Sequence, residues 1–231
     1  MADPIRKAVA EWWRRFVSTL ACATALAGLN AVAWAQAPSN PNLNAQLLVG
    51  ARQNDVAAVE RALALGAMPE SRNRLGKTAL LIAAEHGNLG MASALLKAGA
   101  DVNTASLERV TPLMAASYQG SADMVKRLLA AGAKTEPTDR MNKPAAVYAA
   151  GQGHAAALDA LMAAGVDVNA VYERQLTALM WSAGQGHAEA ARLLLARGAR
   201  PEMRDDRGLT AREIARDAGH AAVVALFPAG L

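Results

Sequence analysis

Residues 111–133 read TPLMAASYQGSADMVKRLLAAGA, and this stretch decides the fold of the chain. It contains a short alanine-rich segment that ends at Gly120, then a second segment with helical periodicity that ends at Gly132. Glycine adopts the left-handed backbone conformation that commonly follows the end of a helix. The stretch therefore predicts a short helix, a glycine, a longer helix and a second glycine.

The same pattern returns along the chain with a period of 33 residues. A turn-forming stretch such as residues 73–76 or 205–208 precedes each copy. Three series of positions keep the period: the glycines Gly66, Gly99, Gly132, Gly165 and Gly198, the glycines Gly87, Gly120, Gly153, Gly186 and Gly219, and the series Thr78, Thr111, Pro144, Thr177 and Thr210. Three independent series in one register indicate a tandem repeat.

These units resemble the ankyrin repeat, which has 33 residues and the signature Thr-Pro-Leu-His, then Gly-His and Leu-Leu-x-x-Gly-Ala. Residues 111–133 are the nearest copy, and the Gly-His step stands at Gly153-His154, Gly186-His187 and Gly219-His220. The resemblance covers about residues 43–228. It implies an all-α repeat solenoid in which each unit has a β-turn or hairpin and two antiparallel helices.

The chain also departs from the family pattern. The histidine of Thr-Pro-Leu-His is replaced in every unit, by Leu81, Met114, Val147, Met180 and Glu213. We therefore expect packing to tie each first helix to its turn. Asn142 and Gln175 stand where the turn glycine is expected. Asparagine tolerates a positive φ, so the turn at Asn142 can keep its conformation. Glutamine does not share this tolerance, and the hairpin before Thr177 is therefore the one that the pattern supports least.

The two ends of the array differ from its interior and predict capping units. The first unit, residues 43–65, lacks a full hairpin, and the last, residues 203–231, has Arg212 at a position where a buried leucine is expected. Polar outer faces on terminal repeats keep a stack soluble. We predict an ankyrin-repeat domain over residues 43–231, with about six units, preceded by a linker over residues 36–42.

The N-terminal segment has the pattern of a secretory signal peptide. Basic residues over positions 1–15 precede an uncharged run over residues 16–35, which ends in Ala33-Trp34-Ala35. We predict cleavage between Ala35 and Gln36 in an exported bacterial protein of the periplasm. The alternative is an uncleaved inner-membrane anchor at residues 16–35 that leaves the repeats in the periplasm, because 20 uncharged residues are just long enough to span a bilayer.

Composition narrows the classes of function. The net charge is +4, of which residues 1–35 contribute +2, so the repeats are nearly neutral and show no basic stripe for nucleic acid. The one cysteine, Cys22, lies in the predicted signal peptide. Thiolate catalysis and cysteine metal sites are thereby excluded from the exported part. We expect a monomer without stable membrane association after cleavage.

The sequence shows no pattern of catalytic residues and no cofactor motif. Three of the four histidines, His154, His187 and His220, belong to the Gly-His steps of successive units. Stacked helices lie roughly 8–10 Å apart, whereas zinc–nitrogen bonds are about 2 Å long, so these histidines cannot share one metal ion. We expect them to cap or buttress the second helices, and we predict no metal, no cofactor and no enzymatic activity.

Transfer of the family's variable positions to this chain predicts a partner-binding surface. It consists of aromatic residues, a row of glutamines and the tips of two turns: Tyr118, Tyr148, Trp181, Gln119, Gln152, Gln185, Arg140, Met141 and Arg174. Aromatic anchors surrounded by hydrogen-bonding groups are typical of interface hot spots. Two alternatives stay open: the rings fill gaps between alanine-rich helices, and the glutamines reflect recent duplication of one repeat.

The function predicted from the sequence is a periplasmic scaffold for protein–protein interaction. A second hypothesis is a protective or accessory factor that binds a small molecule, a metal or a component of the cell envelope. A specific co-purifying protein would favour the first hypothesis. Thermal stabilisation by a ligand without any protein partner would favour the second.

Overall fold

The computed structural model describes residues 41–228, which form twelve α-helices in six antiparallel pairs. The pairs are α1 Pro41–Arg52 with α2 Val56–Ala64, α3 Ala79–His86 with α4 Leu89–Lys97, α5 Pro112–Gln119 with α6 Ala122–Ala130, α7 Ala145–Gly151 with α8 Ala155–Ala163, α9 Ala178–Gly184 with α10 Ala188–Ala196, and α11 Ala211–Asp217 with α12 Ala221–Val224. Extended pairing over this range is limited to two isolated bridges, Arg72–Thr78 and Arg204–Thr210. The predicted all-α repeat solenoid is confirmed.

The threonine series sets where the first helices begin. The Oγ1 atoms of Thr78, Thr111, Thr177 and Thr210 each accept a hydrogen bond from the backbone N–H three residues later. This bond satisfies one of the N–H groups that a helix leaves without a partner in its first turn. Pro144 offers no such side chain, and α7 begins without a side-chain cap.

In the four interior units a glycine with positive φ follows both helices. Gly132 has φ 88° directly after the C-cap residue of α6, as the sequence predicts. Gly120, after α5, has φ 80°. Both helices therefore end in the left-handed conformation that glycine adopts at least cost.

The turns before the first helices show where the family pattern is strained. Asn142 has φ 55°, in agreement with the expectation that asparagine tolerates this position. In the next unit two consecutive residues, Arg174 and Gln175, have φ 59° and 56° within a short 3₁₀ turn. Arg109 also has a positive φ, 60°, which its residue type does not indicate.

The expectation that packing alone ties the first helices to their turns is wrong. In the first full unit Lys77 Nζ lies 2.6 Å from Glu85 Oε1, at the far end of α3. In the third full unit the hydroxyl of Tyr148 donates to Asp139 Oδ2 at 2.5 Å. In these two units polar side chains outside the Thr-Pro-Leu-His position therefore replace the missing histidine, with a different pair in each.

The core runs through the whole stack because each pair buries one apolar face against its neighbours. In α6 the buried side chains are Met124, Val125 and Leu128, at helical spacing. In α3 even the small residues Ala83 and Ala84 are fully buried. Small side chains let the first helices of successive units approach closely, which explains the high alanine content.

The terminal units are shorter or irregular. Helix α1 already starts at Pro41, within the segment 36–42 that the sequence assigns to a linker. At the other end α12 has four residues, and Phe227 buries its ring behind it. The predicted signal peptide over residues 1–35 and its cleavage site lie outside the described residues.

Candidate functional site

The histidines of the Gly-His steps connect successive repeats. The Nε2 atom of His187 lies 3.0 Å from the carbonyl oxygen of Gly151, and His220 Nε2 lies 3.1 Å from that of Gly184. A carbonyl oxygen only accepts, so Nε2 carries the proton. His154, His187 and His220 occupy N-cap positions without a side-chain capping bond, so of the two expected roles, capping or buttressing, the capping role is wrong.

Each of these imidazole rings packs against the glycine of the preceding unit. A Cβ atom built on Gly153 would lie 2.6 Å from Cγ of His187. The histidines thus hold the stack together. Over residues 41–228 no three His, Cys, Asp or Glu side chains are arranged so that they could hold a metal ion.

Aromatic side chains lie close together on the first helices of the second, third and fourth full units. Tyr148 on α7 and Trp181 on α9 occupy equivalent positions one repeat apart, and Tyr118 lies at the end of α5. The rings of Tyr118 and Tyr148 meet edge to face, with centroids 5.9 Å apart and an interplanar angle of 83°. This geometry is favourable for aromatic pairs.

These residues line a cleft of about 320 Å³, which we call the aromatic cleft. Its lining consists of Tyr118, Met141, Lys143, Val147, Tyr148, Gly151, Gln152, Trp181 and Gln185. Six of the nine residues proposed from the sequence therefore surround one concavity. A second cleft of about 340 Å³ shares Tyr118 and Tyr148 and includes Gln119.

Tyr148 is fixed within the aromatic cleft. Its hydroxyl donates to Asp139, whose other oxygen, Oδ1, accepts from the backbone N–H groups of Met141 and Lys143 at 2.8 Å each. Burial raises the pKa of Tyr148, and the hydrogen bond to Asp139 raises it further. The phenol therefore stays a neutral donor, and it orients the ring rather than acting as a base.

Lys143 supplies a positive charge to the aromatic cleft. Its Nζ atom lies 4.9 Å from the centroid of the Trp181 ring, within the range of a cation–π interaction. Among the described residues Lys143 forms no ion pair. Sequence analysis missed Lys143, because a single lysine among neutral residues gives no signal until the ring beneath it is located.

A missing side chain opens the cleft. Gly151 is the last residue of α7, at the position that Tyr118 holds in the preceding unit. A Cβ atom built on Gly151 would touch nothing closer than Trp181 Cε3, at 3.8 Å. The backbone therefore accepts a larger residue here, and its absence leaves one edge of the Trp181 ring open to the cleft.

The glutamine row is split between the two clefts. Gln152 and Gln185 stand at the aromatic cleft, and Gln119 stands at the second cleft. All three are exposed. No described residue makes a hydrogen bond to the side-chain amides of these glutamines. The amides are thus available to a partner.

The turn-tip residues proposed from the sequence do not all reach the aromatic cleft. Met141 lines it and is 56% exposed. Arg140 instead pairs with Glu108 at 3.5 Å, and Arg174 pairs with Asp206 at 3.2 Å. The two arginines link neighbouring tips to each other, away from the rings.

Backbone hydrogen bonds also connect the turn tips, with one interruption. Leu107 N donates to Leu75 O, Arg140 N donates to Glu108 O, and Asp206 N donates to Arg174 O. Between the tips at 140–141 and 173–174 no such bond exists in the described part of the chain. The aromatic cleft lies at this interruption, where the strained turn at residues 173–175 follows.

The structure gives Tyr148 and Trp181 a position that combines the gap filling named as an alternative with access to a cleft. Tyr148 and Trp181 are half-buried and pack against the core, and both also line the aromatic cleft. The indole Nε1 of Trp181 is buried without a hydrogen-bond partner among the described residues. Truncating either ring would therefore disturb packing as well as any interface.

Sequence and structure both relate the chain to known proteins. The sequence model described as ankyrin repeats (3 copies) matches residues 47–140 and 144–230, most of the chain. The chain belongs to the ankyrin-repeat family. No curated protein matches it in sequence. Among solved structures, the crystal structure of EF0377, an ankyrin repeat protein, matches with a TM-score of 0.72 and 25% identity, and covers 79% of this chain and 96% of that one.

Two general statements follow from this membership. Ankyrin repeats generally mediate protein–protein interaction, and the fold is typically a scaffold without catalytic activity.

None of the helices over residues 41–228 has both the length and the apolar character needed to cross a membrane.

Proposed function

We propose that this ankyrin-repeat protein is a non-catalytic scaffold of the periplasm that binds a partner protein through the aromatic cleft. The observation that carries the proposal is the aromatic cleft itself, where rings from the second, third and fourth full units lie beside side-chain amides without hydrogen-bond partners among the described residues. Aromatic anchors provide most of the binding energy at many interfaces, and surrounding amides fix orientation.

The position of the aromatic cleft supports the same function. Tyr118 is 53% exposed although it is a large apolar ring in a chain with few aromatic residues. Its neighbour Met141 adds a flexible side chain with a comparable exposure. Exposed apolar side chains that adjoin one another, with polar groups at their rim, are characteristic of interaction sites.

The test fills the cleft instead of truncating its rings. In Gly151→Tyr the new ring would lie against Trp181, at the position that Tyr118 holds one repeat earlier. Because residue 151 is helical and has room for a Cβ atom, we expect a thermal midpoint equal to or above that of the parent. Proteins that cross-link to the parent in the periplasm should no longer cross-link to the Gly151→Tyr variant.

Ala156→Tyr is the matched control, because Ala156 is exposed on α8 and lines neither cleft. It adds the same ring elsewhere and should retain the cross-linked partner. If Gly151→Tyr keeps the partner while its thermal midpoint is unchanged, the aromatic cleft is not the binding surface.

Export is proposed from the pattern of residues 1–35. The expected species in the periplasm has lost these residues and begins at Gln36. The intact mass of the protein from a periplasmic extract tests this. A full-length species in the inner membrane would instead support an anchor at residues 16–35.

A further inference from the structure

The first and third full units share a lysine before the first helix but differ at the position eight residues after it. Lys77 and Glu85 form an ion pair at 2.6 Å across the first helix of their unit. Two repeats later, 66 residues on, the equivalent positions are Lys143 and Gly151. The lysine is kept and the carboxylate is absent. The first full unit therefore shows this lysine with a carboxylate partner, and the third full unit shows it without one.

No other group in the described chain replaces that carboxylate. Asp139 is the nearest acidic residue in the sequence, and its two oxygens already accept from Met141 N, Lys143 N and the Tyr148 hydroxyl. It forms no ion pair with the Lys143 ammonium group. The lysine is half-buried over Trp181, so its charge is presented to the cleft.

We propose that the aromatic cleft binds an acidic side chain, glutamate or aspartate, within an extended segment of the partner protein. Its carboxylate takes the place that the Glu85 carboxylate holds in the first full unit and pairs with Lys143. The inference rests on the proposed function and specifies the chemistry of the partner.

The surroundings of Lys143 favour a polypeptide over a free carboxylate ion. An exposed ion pair alone contributes little to affinity in water. The cleft adds the Trp181 and Tyr118 rings for neighbouring apolar groups, and Gln152 and Gln185 offer amide N–H and C=O groups to a peptide backbone. A peptide with one acidic and one apolar side chain uses all of these groups together.

The probe is a library of capped random heptapeptides, selected against the full chain at low ionic strength. We expect enrichment of Glu or Asp at one position beside an apolar residue. The enriched peptide should bind Lys143→Met about tenfold more weakly, because methionine keeps the contact with Trp181 but removes the charge. Lys77→Met is the control: it removes the equivalent charge at the other unit and should leave the Kd unchanged.

A second pair of variants restores the missing carboxylate within the chain. Gly151→Glu reproduces the Lys77–Glu85 pair and should bind the enriched peptide at least tenfold more weakly than the parent. Gly151→Gln has nearly the same volume without the charge. We expect its loss to be smaller, and its binding should stay sensitive to salt, whereas that of Gly151→Glu should not.

The results separate this inference from the proposed function. Selection without acidic enrichment, or an unchanged Kd for Lys143→Met, overturns the carboxylate inference, while loss of binding in Gly151→Tyr would still support the cleft as the interface. Equal affinity for N-acetylglutamate and for the heptapeptide overturns the assignment to a polypeptide. If no heptapeptide binds at all, the inference also fails.

Discussion

In the four interior units the first and the second helices both end at a glycine with positive φ, yet the two glycine series have different roles. Around Gly132, which follows α6, a Cβ atom would find no heavy atom within 4 Å. At Gly153, which follows α7, it would collide with the His187 ring of the next unit. Gly132 and its equivalents only end a helix, whereas Gly120, Gly153 and Gly186 also receive the histidine ring of the next unit.

The difference shows how one residue type can act within a repeat and between repeats. In a linear array the interfaces between units hold most of the cooperativity. The ring of His187 adds a hydrogen bond to Gly151 O on top of its packing against Gly153. We therefore expect substitutions in the series of Gly153 to weaken coupling between units, and those in the series of Gly132 to weaken one unit.

The largest effect is expected for Gly153→Ala. The left-handed conformation costs alanine about 1 kcal/mol, and overpacking against His187 adds about 1–3 kcal/mol. Chemical denaturation should show a loss of about 2–4 kcal/mol in unfolding free energy, with a broader transition as units uncouple.

Adding His187→Ala to Gly153→Ala checks the cause. Removal of the ring should relieve the collision, so that the double variant is more stable than the sum of the single losses predicts. Strict additivity would mean that the ring and the glycine do not interact, and the distinction between the two series would fail.

Gly132→Ala should cost less. Only the backbone conformation opposes the substitution, so we expect a loss of about 1 kcal/mol in the same denaturation measurement. Gly132→Val should cost more than Gly132→Ala, because β-branched side chains are strained further at positive φ. A loss at Gly132 equal to that at Gly153 would contradict a separate role for the histidine ring.

The smallest effect, and one of opposite sign, is expected at Gln175. Gln175→Gly relieves about 1 kcal/mol of left-handed strain, which is partly offset by the greater freedom of glycine in the unfolded chain, so a net gain of about 0.5 kcal/mol should remain. Asn142→Gly is the matched control and should gain less, because asparagine already tolerates this conformation. A loss of stability in Gln175→Gly would show that the glutamine side chain makes stabilising contacts that outweigh the strain of its backbone.

The repeat register made most of the fold predictable. The glycine and threonine series placed the first helices from Ala79 onward, because their roles depend on local backbone chemistry. The positive φ of Arg109 was missed because its residue type does not indicate it, although the register places Arg109 at the turn-glycine position of Gly76 and Asn142. The ends of the array were also harder to predict. The first helix starts at Pro41, where the sequence suggested a linker.

The aromatic cleft was predictable in part. Family positions brought Tyr148 and Trp181 together correctly, but they could not reveal the depth to which each ring is buried. Lys143 and Gly151 are informative only when compared with Lys77 and Glu85, and this comparison requires a contact seen in three dimensions. The arginines at the tips were misplaced for a related reason, because their ion pairs with neighbouring tips depend on the spacing of the stack.

The interrupted row of tip hydrogen bonds has a mechanical consequence. The tips at Leu75, Leu107 and Arg140 form one continuous run, and those at Arg174 and Asp206 form another. Bending of the array should concentrate at the junction between these two runs of tips, because the row of backbone hydrogen bonds is interrupted there. A segment seated in the aromatic cleft would span that junction and stiffen it, so that occupancy could be read as a change in the elastic response of the array under load.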